Sequence, residues 1–261
     1  MREGEEVPAA PEWDGKGPGP ICLPEWRSGH WVAPGAPKRA LGSVIPDTDF
    51  RSLCRWWLGM PLLPEGVTLP PCPLCQAPLD PFGDHFVVCK WNGLTRRHNA
   101  LRDEWARVLS QAHIPWRKEI PTTGGDRPDD LLLVGFTKGK DMSLDITIMS
   151  PTALGEYPLC PTKAKRMLAA AETAKTAKEA ESCSRMGWSH HPAAYSTWGG
   201  QGPAATAFMA EILRRATGDL EGWPKIKRIM EIRQGLSVTL AKQLGQQLGL
   251  RCQVLEAMPQ L

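Results

Sequence analysis

The sequence has no long run of apolar residues and little net charge. Its 31 Lys and Arg residues against 28 Asp and Glu residues leave a formal charge of only +3. A membrane-spanning helix needs about 20 consecutive apolar residues, and no signal-peptide core follows Met1. The small charge excludes bulk electrostatic attraction to nucleic acid, so any basic surface must be local. We therefore expect a soluble, intracellular protein with no membrane partner.

Because a secretory signal is also lacking, the eight cysteines do not indicate a disulfide scaffold. Three of them lie beside a histidine at metal-ligand spacing: Cys72 and Cys75 are followed by His85 and Cys89. Two short loops that bring four such ligands together suit tetrahedral Zn²⁺, and four protein ligands leave no open position for catalysis. The alternative is an accidental cluster of buried thiols. The spacing favours a structural zinc knuckle.

The chain divides into four parts by composition and periodicity. Residues 1–46 are dense in Pro and Gly and predict a disordered or extended lead-in. Residues 47–93 predict a helix followed by the zinc knuckle, and residues 94–217 alternate helical and strand patterns. Residues 218–261 predict a basic, amphipathic C-terminal helical extension.

A helix is predicted from Leu94 to Ala112, with an apolar stripe and several arginines. Arg96, Arg97 and Arg102 fall largely off that stripe. Beside a zinc knuckle they are candidates for contact with nucleic-acid phosphates, although a solvated helix face explains them equally well. His98 lies near the stripe and is predicted to be packed or hydrogen-bonded rather than a metal ligand or base.

Carboxylates flank two predicted strands, Leu131 to Phe136 and Met142 to Met149, which a short turn joins. Antiparallel pairing through this turn would bring Asp130 at the start of the first strand close to Asp145 in the second. Clustered carboxylates are costly unless a cation neutralises them, and Mg²⁺ prefers carboxylate oxygens. The pair therefore predicts a Mg²⁺ site.

A metal-dependent hydrolase also needs a cation that steadies the phosphate or the attacking water. The second strand carries Thr147 where such a lysine is expected. The Ala-rich helix predicted from Lys163 to Cys183 offers Lys175 or Lys178 on its small-residue face. The alternative is that these lysines only pair with Glu172 and Glu179 on a solvated surface.

Taken together, these motifs resemble the restriction-like endonuclease region found downstream of the reverse transcriptase in certain non-LTR (LINE-type) retrotransposons. The resemblance covers about residues 47–217. The segments that carry it are the CCHC knuckle, Arg97-His98-Asn99 with Leu101-Arg102, Arg127-Pro128-Asp129-Asp130, Asp145-Ile146-Thr147, the lysine helix and Gly199-Gly200-Gln201-Gly202-Pro203.

The resemblance implies a PD-(D/E)XK-type α/β fold, a small mixed sheet flanked by helices, that cuts DNA with Mg²⁺. Asp130 then matches the first acid, with Asp129 as its uncertain neighbour, and Asp145 matches the second. Lys175 or Lys178 matches a lysine moved from strand to helix. Glu119 is an additional metal-side acid, and Arg127 joins the predicted nucleic-acid-binding residues.

The chain lacks the aspartate pair in a Tyr- or Phe-containing turn that marks a reverse transcriptase. The reverse transcriptase domain of the same element is therefore an expected partner, alongside DNA and RNA, in the nucleus. Two functions remain open: a Mg²⁺-dependent DNA endonuclease, and a non-catalytic zinc-knuckle module that binds nucleic acid.

Overall fold

The computed structural model describes residues 44–62, 69–118, 130–154 and 161–256. Nearly all of the predicted lead-in falls outside these ranges. The same holds for three predicted site residues or neighbours, Glu119, Arg127 and Asp129. The other predicted site residues lie within them.

A four-stranded mixed sheet forms the centre of the fold, with strand order β1-β2-β3-β4. The first three strands pair antiparallel and β4 pairs parallel to β3. The turn between β2 and β3 is tight because Lys138 and Gly139 both have positive φ, 50° and 82°. The predicted hairpin is thereby confirmed. The strands are Trp116–Lys118 (β1), Leu131–Thr137 (β2), Lys140–Met149 (β3) and Ser189–Ser196 (β4).

Helices cover both faces of the sheet, so the predicted mixed α/β class is confirmed. Leu144 and Ile146 of β3 pack into a core with α3 and α5, whereas Asp145 between them contacts α4. Alternate strand residues point to opposite faces, so α4 lies on the other side. No helix in the described ranges is long and apolar enough to cross a membrane. The helices are Asp47–Trp57 (α1), Asp84–Val88 (α2), Leu94–Gln111 (α3), Pro161–Arg185 (α4), Pro203–Ala216 (α5) and Gly222–Glu256 (α6), with a 3-10 turn at Pro151–Leu154.

Two apolar cores share the long helix α6. Ile232 and Leu236 join the main core beneath the sheet. Farther along the helix, Leu240 and Leu244 pack with α1 and α2 in a second core. This core lies beside residues 69–93, which we call the Cys/His segment. The region expected as a C-terminal extension thus contributes to both cores.

Glycine in α6 permits the close approach of α1. A Cβ at Gly245 would lie 2.9 Å from the carbonyl oxygen of Asp49, and one at Gly249 would lie 2.6 Å from the Asp49 carboxylate. Neither contact leaves room for a side chain. The spacing of four residues places both glycines on one helix face, and that face is where α1 sits.

Candidate metal centre and acid–lysine site

The predicted zinc ligands come together in the structure. The ligand atoms of Cys72, Cys75, His85 and Cys89 all lie within 4.8 Å of one another. Cys75 Sγ is 3.2 Å from His85 Nε2, and Cys72 Sγ is 4.0 Å from Cys89 Sγ. Tetrahedral zinc with these donors separates them by about 3.5 to 3.8 Å. The group can therefore hold a metal such as zinc.

Local structure positions two of these ligands. In the knuckle turn, the Gln76 N–H donates to the carbonyl of Cys72, and Gln76 has a positive φ of 60°. The Asp80 carboxylate accepts the backbone N–H of His85 at 2.8 Å and so fixes the start of α2. Burial opposes ionisation of Cys72, but hydrogen bonds from backbone, His85 and Cys75 outweigh it and lower its pKa to about 6. A thiolate is the form that binds zinc.

Asp130 and Asp145 share one end of the β2–β3 hairpin. Each is the next residue beyond the Leu131–Leu144 pair. Asp130 Oδ2 accepts the backbone N–H of Ile146 at 2.7 Å, directly beside Asp145. Burial raises the pKa of the Asp145 carboxyl, and the negative charge of Asp130 adds to the rise. The backbones of the two acids therefore lie next to each other on adjacent strands, as the predicted hairpin requires.

Lys175 is the lysine that reaches Asp145. Its Nζ lies 3.1 Å from Oδ1 and 3.0 Å from Oδ2 of Asp145. The contact with Oδ2 lacks hydrogen-bond geometry, so this buried oxygen has no hydrogen-bond partner. Lys178 is instead 75% exposed and pairs with Glu179 at 2.7 Å. The alternatives left open by the sequence are thereby separated.

Glu172 anchors the helix that carries Lys175. Its carboxylate is buried and accepts three backbone N–H groups, from Ala194 at 3.2 Å, Ala204 at 2.9 Å and Ala205 at 3.0 Å. Gly202 permits this approach, because a Cβ there would overlap the carboxylate. The bonds tie α4 to β4 and to the start of α5. Glu172 is therefore not the solvated lysine partner that the sequence left open, and it holds Lys175 one helical turn away.

His98 is a site neighbour that sequence reasoning left out of the site. Its Nε2 lies 3.1 Å from Asp130 Oδ2 and 2.9 Å from the carbonyl oxygen of Ile146. The hydrogen bond with Asp130 raises the pKa of His98. The prediction of a hydrogen-bonded histidine is confirmed, but its partner is the first acid. The signal available was its place in the Arg97-His98-Asn99 segment.

The expectation of exposed guanidinium groups is wrong for two of the arginines. Arg97 and Arg102 are only 3% and 4% exposed, whereas Arg96 is exposed. Arg97 Nη1 donates to the carbonyl of Val87 at 3.1 Å and to Gln247 Oε1 at 3.0 Å. Burial lowers its pKa to about 10. The second core covers a face of α3 that the apolar stripe alone left open to solvent.

The fold and site define a mixed α/β protein with a Cys/His cluster that can hold a metal and a buried aspartate, Asp145, paired with a half-buried lysine, Lys175. No protein-family model matches the chain, and no curated protein matches its sequence.

Proposed function

We propose that this chain is the Mg²⁺-dependent DNA endonuclease domain of a retrotransposon-derived protein, hydrolysing a phosphodiester of target DNA. The observation that carries the proposal is the buried Asp145, ion-paired with Lys175 and adjacent to Asp130. Two neighbouring carboxylates at a strand end are costly to ionise unless a cation joins them.

The donor set fits a hard divalent cation. Asp145 Oδ2 is buried and lies 3.0 Å from Lys175 Nζ, and carboxylate oxygens are the ligands that Mg²⁺ takes. Asp130 and Asp145 are the residues that would hold it. Bound Mg²⁺ supplies Lewis acidity and a water that ionises more easily.

The remaining side chains have roles of their own. Lys175 can donate hydrogen bonds to a phosphate oxygen and offset the negative charge that develops during hydrolysis. His98 orients Asp130 by bonding its Oδ2. Glu172 positions Lys175 through the three backbone bonds that fix α4. In this proposal the chain works in the nucleus with the reverse transcriptase domain of the same element, and its nucleic-acid partners are DNA and RNA; the motif resemblance supports these points.

Nicking of supercoiled plasmid DNA tests the proposal. With Mg²⁺ present, we expect the wild type to produce relaxed circles and both Asp145→Ala and Lys175→Ala to lose at least 100-fold in rate, roughly the loss of one electrostatic group. Lys178→Ala is the matched control on the same helix and should retain activity. No cleavage by the wild type, or equal cleavage by Asp145→Ala, would refute the proposal.

A second candidate is a non-catalytic zinc-dependent module that binds nucleic acid. The convergence of Cys72, Cys75, His85 and Cys89 favours it. Oligonucleotide binding should then be lost in Cys72→Ser and on zinc chelation. Binding that survives both treatments with the fold intact would rule this function out.

A further inference from the structure

The turn between Cys89 and α3 displays an aromatic ring at the surface. Trp91 is 63% exposed, although Trp56, Trp105 and Trp198 are buried in the two cores. The Nζ of Lys90 lies 5.3 Å from the centroid of the Trp91 ring. Single exposed aromatic residues are common, so exposure alone does not indicate a binding site. The residues around the ring are the relevant observation.

The backbone beneath the ring is fixed by buried hydrogen bonds. The Asn92 N–H donates to the carbonyl of Cys89 at 2.9 Å, and Asn92 Nδ2 donates to the carbonyl of Phe86 at 2.7 Å. Arg251 Nε donates to Asn92 Oδ1 at 3.0 Å. A ring presented by such a turn loses little conformational freedom when a ligand stacks on it.

Cationic residues stand on both sides of Trp91 in the chain. Lys90 and Arg96 are both exposed. The Arg96 guanidinium lies over Gly93, 3.8 Å from where a Cβ would sit. The first turn of α3 contains no acidic residue. A flat ring flanked by cations complements a nucleobase flanked by phosphates.

We propose that Trp91 is a stacking platform for an unpaired nucleobase, with Lys90 and Arg96 contacting the phosphates beside it. A base inside an intact duplex has both faces covered by its neighbours, so only an unpaired nucleotide can use the ring. The ligand chemistry is shared by single-stranded DNA and single-stranded RNA.

The position of Trp91 in the fold specifies the substrate of the proposed endonuclease, and this step rests on that proposed function. Trp91 and His98 flank the first turn of α3, and His98 contacts Asp130. Three residues of turn and four of helix separate them by at most about 17 Å along the chain, a span of a few nucleotides. The substrate class is then DNA with unpaired nucleotides close to the scissile phosphate.

Binding of labelled oligonucleotides tests the platform on the full chain with zinc bound. The probes are one 12-nucleotide sequence as single-stranded DNA, as single-stranded RNA and as blunt duplex DNA, followed by fluorescence anisotropy without Mg²⁺. Trp91→Ala should weaken single-strand binding about tenfold and duplex binding less than twofold. Trp91→Phe should restore part of the loss. Trp223→Ala, an equally exposed tryptophan on α6, should change neither.

The single-strand probe that depends more on Trp91 identifies the natural source of the base. Equal single-strand affinity of Trp91→Ala and wild type, or an equal loss on duplex DNA, would overturn the platform. Unchanged zinc content and circular dichroism of Trp91→Ala show that the fold is retained. If plasmid nicking fails but the Trp91 dependence holds, the endonuclease fails and the platform stands. If nicking succeeds and Trp91→Ala binds normally, the platform alone fails.

Discussion

The Cys/His segment and the sheet are stabilised by different interactions. Around the sheet, large apolar residues from β2, β3, α3 and α5 form a continuous core. The Cys/His segment has only the five-residue helix α2 and contributes Phe86 and Val87 to the second core. Hydrogen bonds made by the side chains of Asp80, Asn92 and Arg97 also stabilise this segment.

This difference leads us to expect that metal binding stabilises the Cys/His segment and that burial of apolar residues stabilises the sheet region. The sheet region contains enough buried apolar surface to persist without a cation. The Cys/His segment is too small for that and resembles minimal units whose folding depends on metal. We expect loss of the metal to weaken mainly the Cys/His segment, and loss of buried contacts around β2 and β3 to weaken mainly the sheet region.

Removal of the metal should give the largest effect. In Cys89→Ser, or after zinc chelation, we expect the backbone of residues 69–93 to lose most of its protection from hydrogen exchange, because structural zinc contributes about 10 kcal/mol or more in small domains. Protection in β2, β3 and α5 should remain. Cys54→Ser on α1 is a matched cysteine control outside the cluster. Protection unchanged at residues 69–93 would contradict a metal-dependent segment.

Loss of the Glu172 carboxylate should be the next largest effect and should fall on the sheet region. Glu172→Ala leaves three backbone N–H groups without their acceptor, at about 1 to 3 kcal/mol each, so we expect a total loss of about 3 to 9 kcal/mol in urea unfolding. The free energy of unfolding of Glu172→Gln should lie between those of the parent and of Glu172→Ala. Glu181→Ala, exposed on the same helix, should cost under about 0.5 kcal/mol. A Glu172→Ala protein as stable as the parent would refute the anchoring role.

Neutralising Asp145 should give the smallest effect on stability, with a sign that depends on pH. The folded state raises the pKa of Asp145 above its ordinary 3.8, so its contribution is most favourable below that pH and is lost as pH rises through the folded value. Asp145→Asn should therefore be at least as stable as the parent at pH 8, with the parent gaining relative stability toward pH 4. Thermal unfolding at both pH values measures this. An Asp145→Asn protein much less stable at pH 8 would contradict it.

Local patterns in the sequence were sufficient for the hairpin and the metal ligands. Turn chemistry and apolar runs determine β2 and β3, and ligand spacing determines the Cys/His cluster. The arrangement of the lysines depends instead on tertiary contacts. Leu168, Glu172 and Lys175 form one stripe of α4 facing the sheet. The sequence does not reveal this stripe, because a glutamate is usually a solvated residue.

The buried arginines show the same limit. Arg97 is covered by α2 and by Gln247, which lies 150 residues away in the sequence. Helical periodicity within α3 contains no information about such a partner. On α1 the structure buries Leu53 and Trp56 and leaves Phe50 exposed, because α6 packs against the face that carries Leu53 and Trp56.

Both cores pack against the same helix, α6, so the rotation along that helix sets the orientation of one core relative to the other. Leu236 faces the main core and Leu240 faces the second, one helical turn apart. Inserting a single residue between them would turn one core's contacts by about 100° relative to the other's, whereas four residues complete roughly one full turn. The length of this short connection, more than its composition, therefore sets how the metal-binding segment is aligned with the acids at the sheet.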